Sequence, residues 1–228
     1  MNNDARKAAE EPSKAAHLIT IFMCGDVMTG RGIDQVLPHP SAPVIYEPYL
    51  KSARGYVEIA EEANGPIPQP VNFSYIWGDA LVVASIHWGG NWGYEVPHDQ
   101  TEFAHKLIDA AGVDVIHGHS SHHVKGMEVY KDKLILYGCG DFLNDYEGIR
   151  GYEVFRDDLG LMYFASVDPS SGKLIHLRMS PTQIKRFRVN RASRADALWL
   201  KDILNREGKK FGTRTEMNPD NTLAPQWD

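Results

Sequence analysis

The chain has 228 residues, 43% of them hydrophobic, which suffices for one sizeable core and matches a single domain with room for an appendage. Its 30 acidic and 24 basic side chains leave a formal charge of -6, which excludes the broad basic footprint of a nucleic-acid-binding protein or of one drawn to an anionic membrane. Two cysteines, Cys24 and Cys139, sit outside any CxxC spacing, so zinc-ribbon and dithiol redox motifs are excluded and small buried thiols are expected.

Residues 1–16 mix charges of both signs without an apolar run and read as a disordered leader, not as a signal peptide or a membrane span. The run HLITIFMC, His17 to Cys24, is short, apolar and β-branched and is stopped by Gly25. That is the pattern of a strand buried on both faces, with Asp26 at its end. Seven prolines between residues 38 and 70 mark an excursion, and the composition of 46–64 predicts one helix inside it. LVVASIHWGG, from Leu81, predicts another fully buried strand that ends in His87 and a glycine pair. Asp99 is expected to cap the next helix, with Glu102 three residues on, Phe103, Leu107 and Ile108 on its buried face and Gly112 as its stop.

The strand VDVI at 113–116 follows, and the strand-helix-strand order predicts a crossover between parallel strands. GMEVY and KLILY flank Lys131 and Asp132 as a hairpin, and LGLMYFASV and KLIHLRM form a second that turns through 168–172. Lys185 to Arg194 holds five cations in ten residues and reads as a solvated strand and loop. The last helix starts at Ser193 with Asp196 completing its cap, buries Leu198, Trp199, Ile203 and Leu204, and stops at Gly208. Residues 213–228 read as a loose tail.

Four histidines fall within seven residues, His117, His119, His122 and His123, and His87 ends a strand. Turn geometry does not call for four histidines, so metal binding or catalysis is the preferred reading of the cluster. Loops beyond strand ends converge on one edge of a sheet, and Asp26, His87, His119 and Asp141 all take such positions. Carboxylate and imidazole together suit Zn, Mn or Fe and leave room for an activated water. Taken singly, His87 also fits a hydrogen-bonded structural histidine and Asp26 a turn residue. Phosphate-loop, dinucleotide-fold, GxSxG and HExxH motifs do not occur.

GDVMTGRGID at 25–34, SIHWGGNWGYEVP at 85–97, VDVIHGHSSHHVKGMEVY at 113–130 and LILYGCGDF at 134–142 resemble the CapA family, the poly-gamma-glutamate capsule biosynthesis proteins. The resemblance implies an α+β chain with a calcineurin-like αββα sandwich and a dinuclear metal edge. It would occupy 17–212 as one domain, between the leader and the tail. It assigns Asp26, His87, His119 and His122 to divalent metal (Mn, Fe or Zn), His87 and His119 to catalysis, and Arg31 to substrate. Asp141 stands where the family often has asparagine. An NLE motif and an NNHxxD motif, normally present between YIWGDA and VVASIHWGG, do not occur, and the sequence runs straight through Ala80 and Leu81 as an internal deletion would leave it.

The implied function is a capsule-biosynthesis protein with a metal-dependent hydrolase or phosphoesterase-type site, crippled by the missing segment. Its expected partners are an anionic polymer or phosphoester and the capsule synthesis machinery, with no nucleic acid, no membrane span and a cytoplasmic location. The alternatives are a non-catalytic accessory protein that holds anionic polymer through Arg31 and the Lys185 to Arg194 stretch, or an inert truncated product.

Overall fold

The computed structural model describes residues 30–78, 80–148 and 150–227, so the strand expected at 17–24, Cys24 and Asp26 lie outside the described residues. The fold is mixed α and β. Two helices come first, α1 (Arg31–Val36) and α2 (Arg54–Asn64), the second of them being the helix expected in the proline-rich excursion. They enclose a small apolar centre of Val36, Val57 and Val71. A 3-10 turn, Phe73–Trp77, leads on to the main body, where the Trp77 indole donates to the Ala111 carbonyl over 3.1 Å.

Strands β1 (Val83–His87) and β2 (Val115–His119) are parallel and joined by α3 (His98–Asp109), the predicted crossover. β3 (Met127–Tyr130) and β4 (Lys133–Leu136) form the predicted hairpin, and the first sheet has the order β1-β2-β4-β3. Lys131 and Asp132 both have positive φ, 49° and 64°, as a tight two-residue turn demands. The period-two alternation of the strands then sorts their side chains. Ile116 and Ile135 face α3 and pack with Ala104 and Ile108, while Leu134, Leu136 and Met127 face the other way.

That second face meets a second sheet. β5 (Leu159–Val167) and β6 (Leu174–Ile184) form its central hairpin, with β7 (Val189–Arg191) beside β6. Asp168 shapes the β5–β6 turn, its Oδ1 accepting from the backbone of Ser170 and Ser171, both at 2.9 Å. Helix α4 (Arg194–Gly208) starts at Ser193, whose hydroxyl accepts from the Asp196 backbone N–H at 3.2 Å, the expected cap. Leu200 and Leu204 of α4 complete the core shared by the two sheets with Leu159, Leu177 and Met179. Cys139 is a buried free thiol in that core, pushed up to about 12 by burial.

Four expectations need correction. The tail at 213–228 is not loose: β8 (Thr213–Met217) and β9 (Leu223–Trp227) form a hairpin, and β9 joins β6 through Met179 opposite Leu223. Thr213, Thr215, Leu223 and Pro225 alternate inward, and the Thr213 hydroxyl donates to the Met127 carbonyl at 3.1 Å. Helix α3 is entered from Pro97 in extended conformation, not capped by Asp99, whose carboxylate sits in the first turn and accepts from the Gln100 N–H at 2.9 Å. Its buried face is Gln100, Ala104 and Ile108, which leaves Phe103 half exposed. On α4, Leu198 lies toward solvent and Leu200 takes the inward place.

The fourth correction concerns β1, expected to be buried on both faces. Among the described residues it pairs only with β2, and its residues alternate between exposed and half-buried. Leu81 is 43% and Val83 56% exposed. Burying an aliphatic side chain fully is worth about 1.5–3 kcal/mol, so β1 forgoes much of what its sequence could contribute. Among the described residues nothing pairs with its outer edge, which has no charged side chain, proline or bulge to blunt it. The protein is therefore expected to associate as concentration rises and to unfold at a modest temperature. Light scattering should fall on Val83→Lys, which puts a charge on the edge; equal scattering with a high, cooperative melting transition would count against this account.

Candidate functional site

Residue-for-residue parallel pairing sets His87 opposite His119 at the ends of β1 and β2. Their rings meet edge to face at 5.3 Å, and the His117 ring is 5.5 Å from that of His119. Ser85, two residues before His87, lies opposite His117, and its Oγ is 3.0 Å from His117 Nδ1. Val83, Ser85, His87, His117 and His119 thus share the face of the first sheet that meets the second sheet farther along, at β3 and β4. Over β1 and β2 that face is only partly covered. Burial, and then the neighbouring His119, hold His117 below the ordinary imidazole value, favouring its neutral form.

The strand ends are held together by their backbones. The Trp88 N–H donates to the His119 carbonyl at 2.9 Å, and the Ser120 hydroxyl donates to the Gly89 carbonyl at 3.1 Å. Ser120 has φ 122°, a conformation side chains disfavour, which the surrounding bonds maintain. Between the two histidines of β2, Gly118 admits the Trp88 indole: a Cβ there would strike both that ring and the Leu136 carbonyl. The indole N–H donates to the Tyr137 carbonyl at 3.1 Å, fixing the ring.

The other two histidines of the cluster go elsewhere. His122 Nδ1 is 3.0 and 3.2 Å from the two oxygens of Asp141, and Asn144 donates to the same carboxylate at 2.5 Å. Trp92 and Tyr146 pack against the His122 ring at 5.3 and 5.1 Å, and Trp92 stacks on Tyr152 at 3.9 Å. His123 is fully buried among Tyr94, Trp92 and Phe155, with Nε2 lacking a hydrogen-bond partner, and burial brings it down to about 4. It is a neutral core residue.

Of the expected site residues, the structure brings His87 and His119 together, with His117 and Ser85 beside them. It gives His122 to Asp141, and Asp26 lies outside the described residues. Arg31 sits on α1, where its Nε pairs with Glu47 at 2.9 Å and its guanidinium lies 5.8 Å over the Tyr56 ring. Among the described residues, no group of three or more His, Cys, Asp or Glu side chains is arranged to hold a metal ion. Ser85 and Asn144 were not singled out from the sequence. Ser85 was detectable, since a strand places it on the same side as His87; Asn144 gave no signal before the loop geometry was known.

Residues 77–146, which include His87, His119, His122 and Asp141, match the family model described as bacterial capsule synthesis protein PGA_cap. A probable polyglutamine synthesis accessory protein of Mycobacterium tuberculosis is 29% identical over 90% of this chain and 95% of its own length. The capsule biosynthesis protein CapA of Bacillus anthracis is 37% identical over 83 residues, 36% of this chain and 19% of that protein. The chain is thus similar to CapA-type capsule biosynthesis proteins, most specifically over residues 77–146. The PGA biosynthesis protein CapA of Bacillus subtilis, 32% identical over 83 residues, covers 36% of this chain and 20% of its own length.

The chain is shorter inside the aligned stretch than its mycobacterial relative. That alignment runs over 363 residues, yet 90% of 228 residues is about 205, so roughly 158 residues of the relative face none here. No helix among the described residues is long and apolar enough to cross a membrane.

His123 makes acid stability a test of this geometry. Unfolded, it takes a proton near 6.5; folded, it resists until about 4, so the unfolded state binds more protons within that window. Its contribution is fully present above the window and is lost as pH falls through it, with His117 shifted in the same direction. Urea unfolding across this range should show stability declining with acidification and a shallower decline in His123→Phe. An unchanged slope in that variant would contradict the buried neutral assignment.

Proposed function

We propose that the protein serves synthesis of an anionic, capsule-type glutamate polymer as an accessory protein, and that its histidine edge is a partial metal-binding site without full hydrolytic competence. The observation that carries this reading is the register pairing of His87 with His119 at the ends of β1 and β2. Paired imidazoles at strand ends are suitable donors for Zn, Mn or Fe. A hydrolytic centre also needs carboxylate and an open water position, and Asp141 is already engaged by His122 and Asn144. The described residues therefore do not complete such a centre.

The same observations support a calcineurin-like sandwich that has lost strands outside β1, with the missing residues falling between Ala80 and Leu81. Helix α3, the first sheet and the second sheet lie in successive layers, and the exposed Leu81 and Val83 offer apolar surface that a further strand could cover. In this reading the relatives' polymer, not a small phosphoester, is the principal ligand. A cytoplasmic location remains part of the proposal.

Metal titration followed by calorimetry and elemental analysis tests it. Weak binding, on the order of tenfold weaker again in His87→Ala or His119→Ala, is expected, together with no hydrolysis of bis-(p-nitrophenyl) phosphate above the metal-only control. Stoichiometric tight binding with turnover that disappears in His119→Ala would establish a competent hydrolase instead.

A further inference from the structure

The outer face of the second sheet carries a groove that neither the histidine edge nor the family motifs use. It is a cavity of about 450 Å3. Cross-strand register lays out its floor: Phe164 opposite Arg178, Met162 opposite Ser180, and Gly160 opposite Thr182, which in turn faces Arg191. Asn190 stands on one side and the 220–222 turn on the other. Arg194, the first residue of α4, fastens that turn by donating to the Asn221 side chain at 2.9 Å. Two arginines, Arg178 and Arg191, thus line a floor made partly of Met162 and Phe164, which are 38% and 42% exposed.

Arg194 is spent on the 220–222 turn, and the Arg178 charge also helps hold the Asp220 carboxyl below its ordinary value, after the Thr222 hydrogen bonds. Among the described residues, neither Arg178 nor Arg191 forms an ion pair, whereas Arg31, Lys133, Arg156 and Arg206 all do. Arg178 lies 5.0 Å over the Phe164 ring, so its guanidinium edge remains free to donate. Thr182 is only 5% exposed. The one acidic lining residue, Asp220, is occupied by the Thr222 N–H and hydroxyl at 3.0 and 2.7 Å.

We propose that this groove binds a carboxylate-rich peptide chain, with Arg178 and Arg191 gripping carboxylates and Met162 and Phe164 receiving the methylene stems between charge and backbone. Planar guanidinium forks match carboxylates in pairs of hydrogen bonds. The apolar floor selects flexible aliphatic acids, and the chain's charge of -6 provides no extended basic track for nucleic acid. The groove adds a polymer-binding surface to the capsule reading. It stands on different residues from the histidine edge, on the side of the second sheet away from the shared core.

The test is fluorescence anisotropy of a labelled γ-linked oligoglutamate titrated with the full chain. Binding should weaken with added salt, be absent for an oligoglutamine of equal length, and fall roughly tenfold or more in Arg178→Gln/Arg191→Gln. Met162→Glu, which puts a like charge on the floor and leaves both arginines in place, should weaken it as well. Chelation and His119→Ala should leave it unaltered, so failure of the metal reading does not remove this one. Circular dichroism of each variant confirms the fold. Equal binding of oligoglutamine, or undiminished binding in both the double variant and Met162→Glu, would overturn the proposal.

Discussion

The parallel register of β1 on β2 is the constraint on which the rest depends. It places His87 level with His119 and Ser85 level with His117, and the same alternation sends Ala84, Ile86 and Ile116 to the α3 side. A one-residue slip would turn imidazoles into an apolar layer and isoleucines toward the half-open face, at the cost of desolvating polar groups without partners. Burial of one side of the sheet therefore enforces the arrangement on the other. The histidines are positioned by hydrophobic packing that they do not themselves join.

Much of this was legible because it is local. The β3–β4 hairpin depended on two residues tolerant of positive φ, the crossover on the order of three elements, and the α4 start on Ser193 with Asp196. What could not be read was tertiary. LVVAS has the same composition whether a strand lies in mid-sheet or at an edge, so composition alone does not reveal that Val83 is exposed. Phe103 was the larger apolar residue, but the close approach of α3 to the sheet favours Ala104. The polar run TRTEM hid a strand because buried threonines satisfy their hydroxyls against backbone, as Thr213 does against Met127.

The site was legible to a similar degree. Four clustered histidines looked like one unit, yet a strand turns alternate residues to one face and the following loop turns the next two away. His117 and His119 stay with His87, His122 goes to a carboxylate, and His123 becomes core. Counting histidines pointed to one sheet edge, where the structure gathers His87, His117 and His119 but not His122 or His123. The basic stretch was undervalued for the opposite reason. Its partners, Arg178 and the 220–222 turn, are distant in sequence and come into view only when β6 sits between β5 and β7.

Gly118 and Trp88 link two of the most distinctive stretches of the chain. The indole occupies the space a side chain at 118 would need, and its N–H is held by Tyr137. Neither position is free to drift alone: alanine at 118 needs both the ring at 88 and the Leu136 carbonyl to give way, and losing the ring opens a void beside two histidines. Across homologous chains the two sites should vary as one unit, a covariation signal that steric exclusion would produce even where the chemistry at this edge has changed.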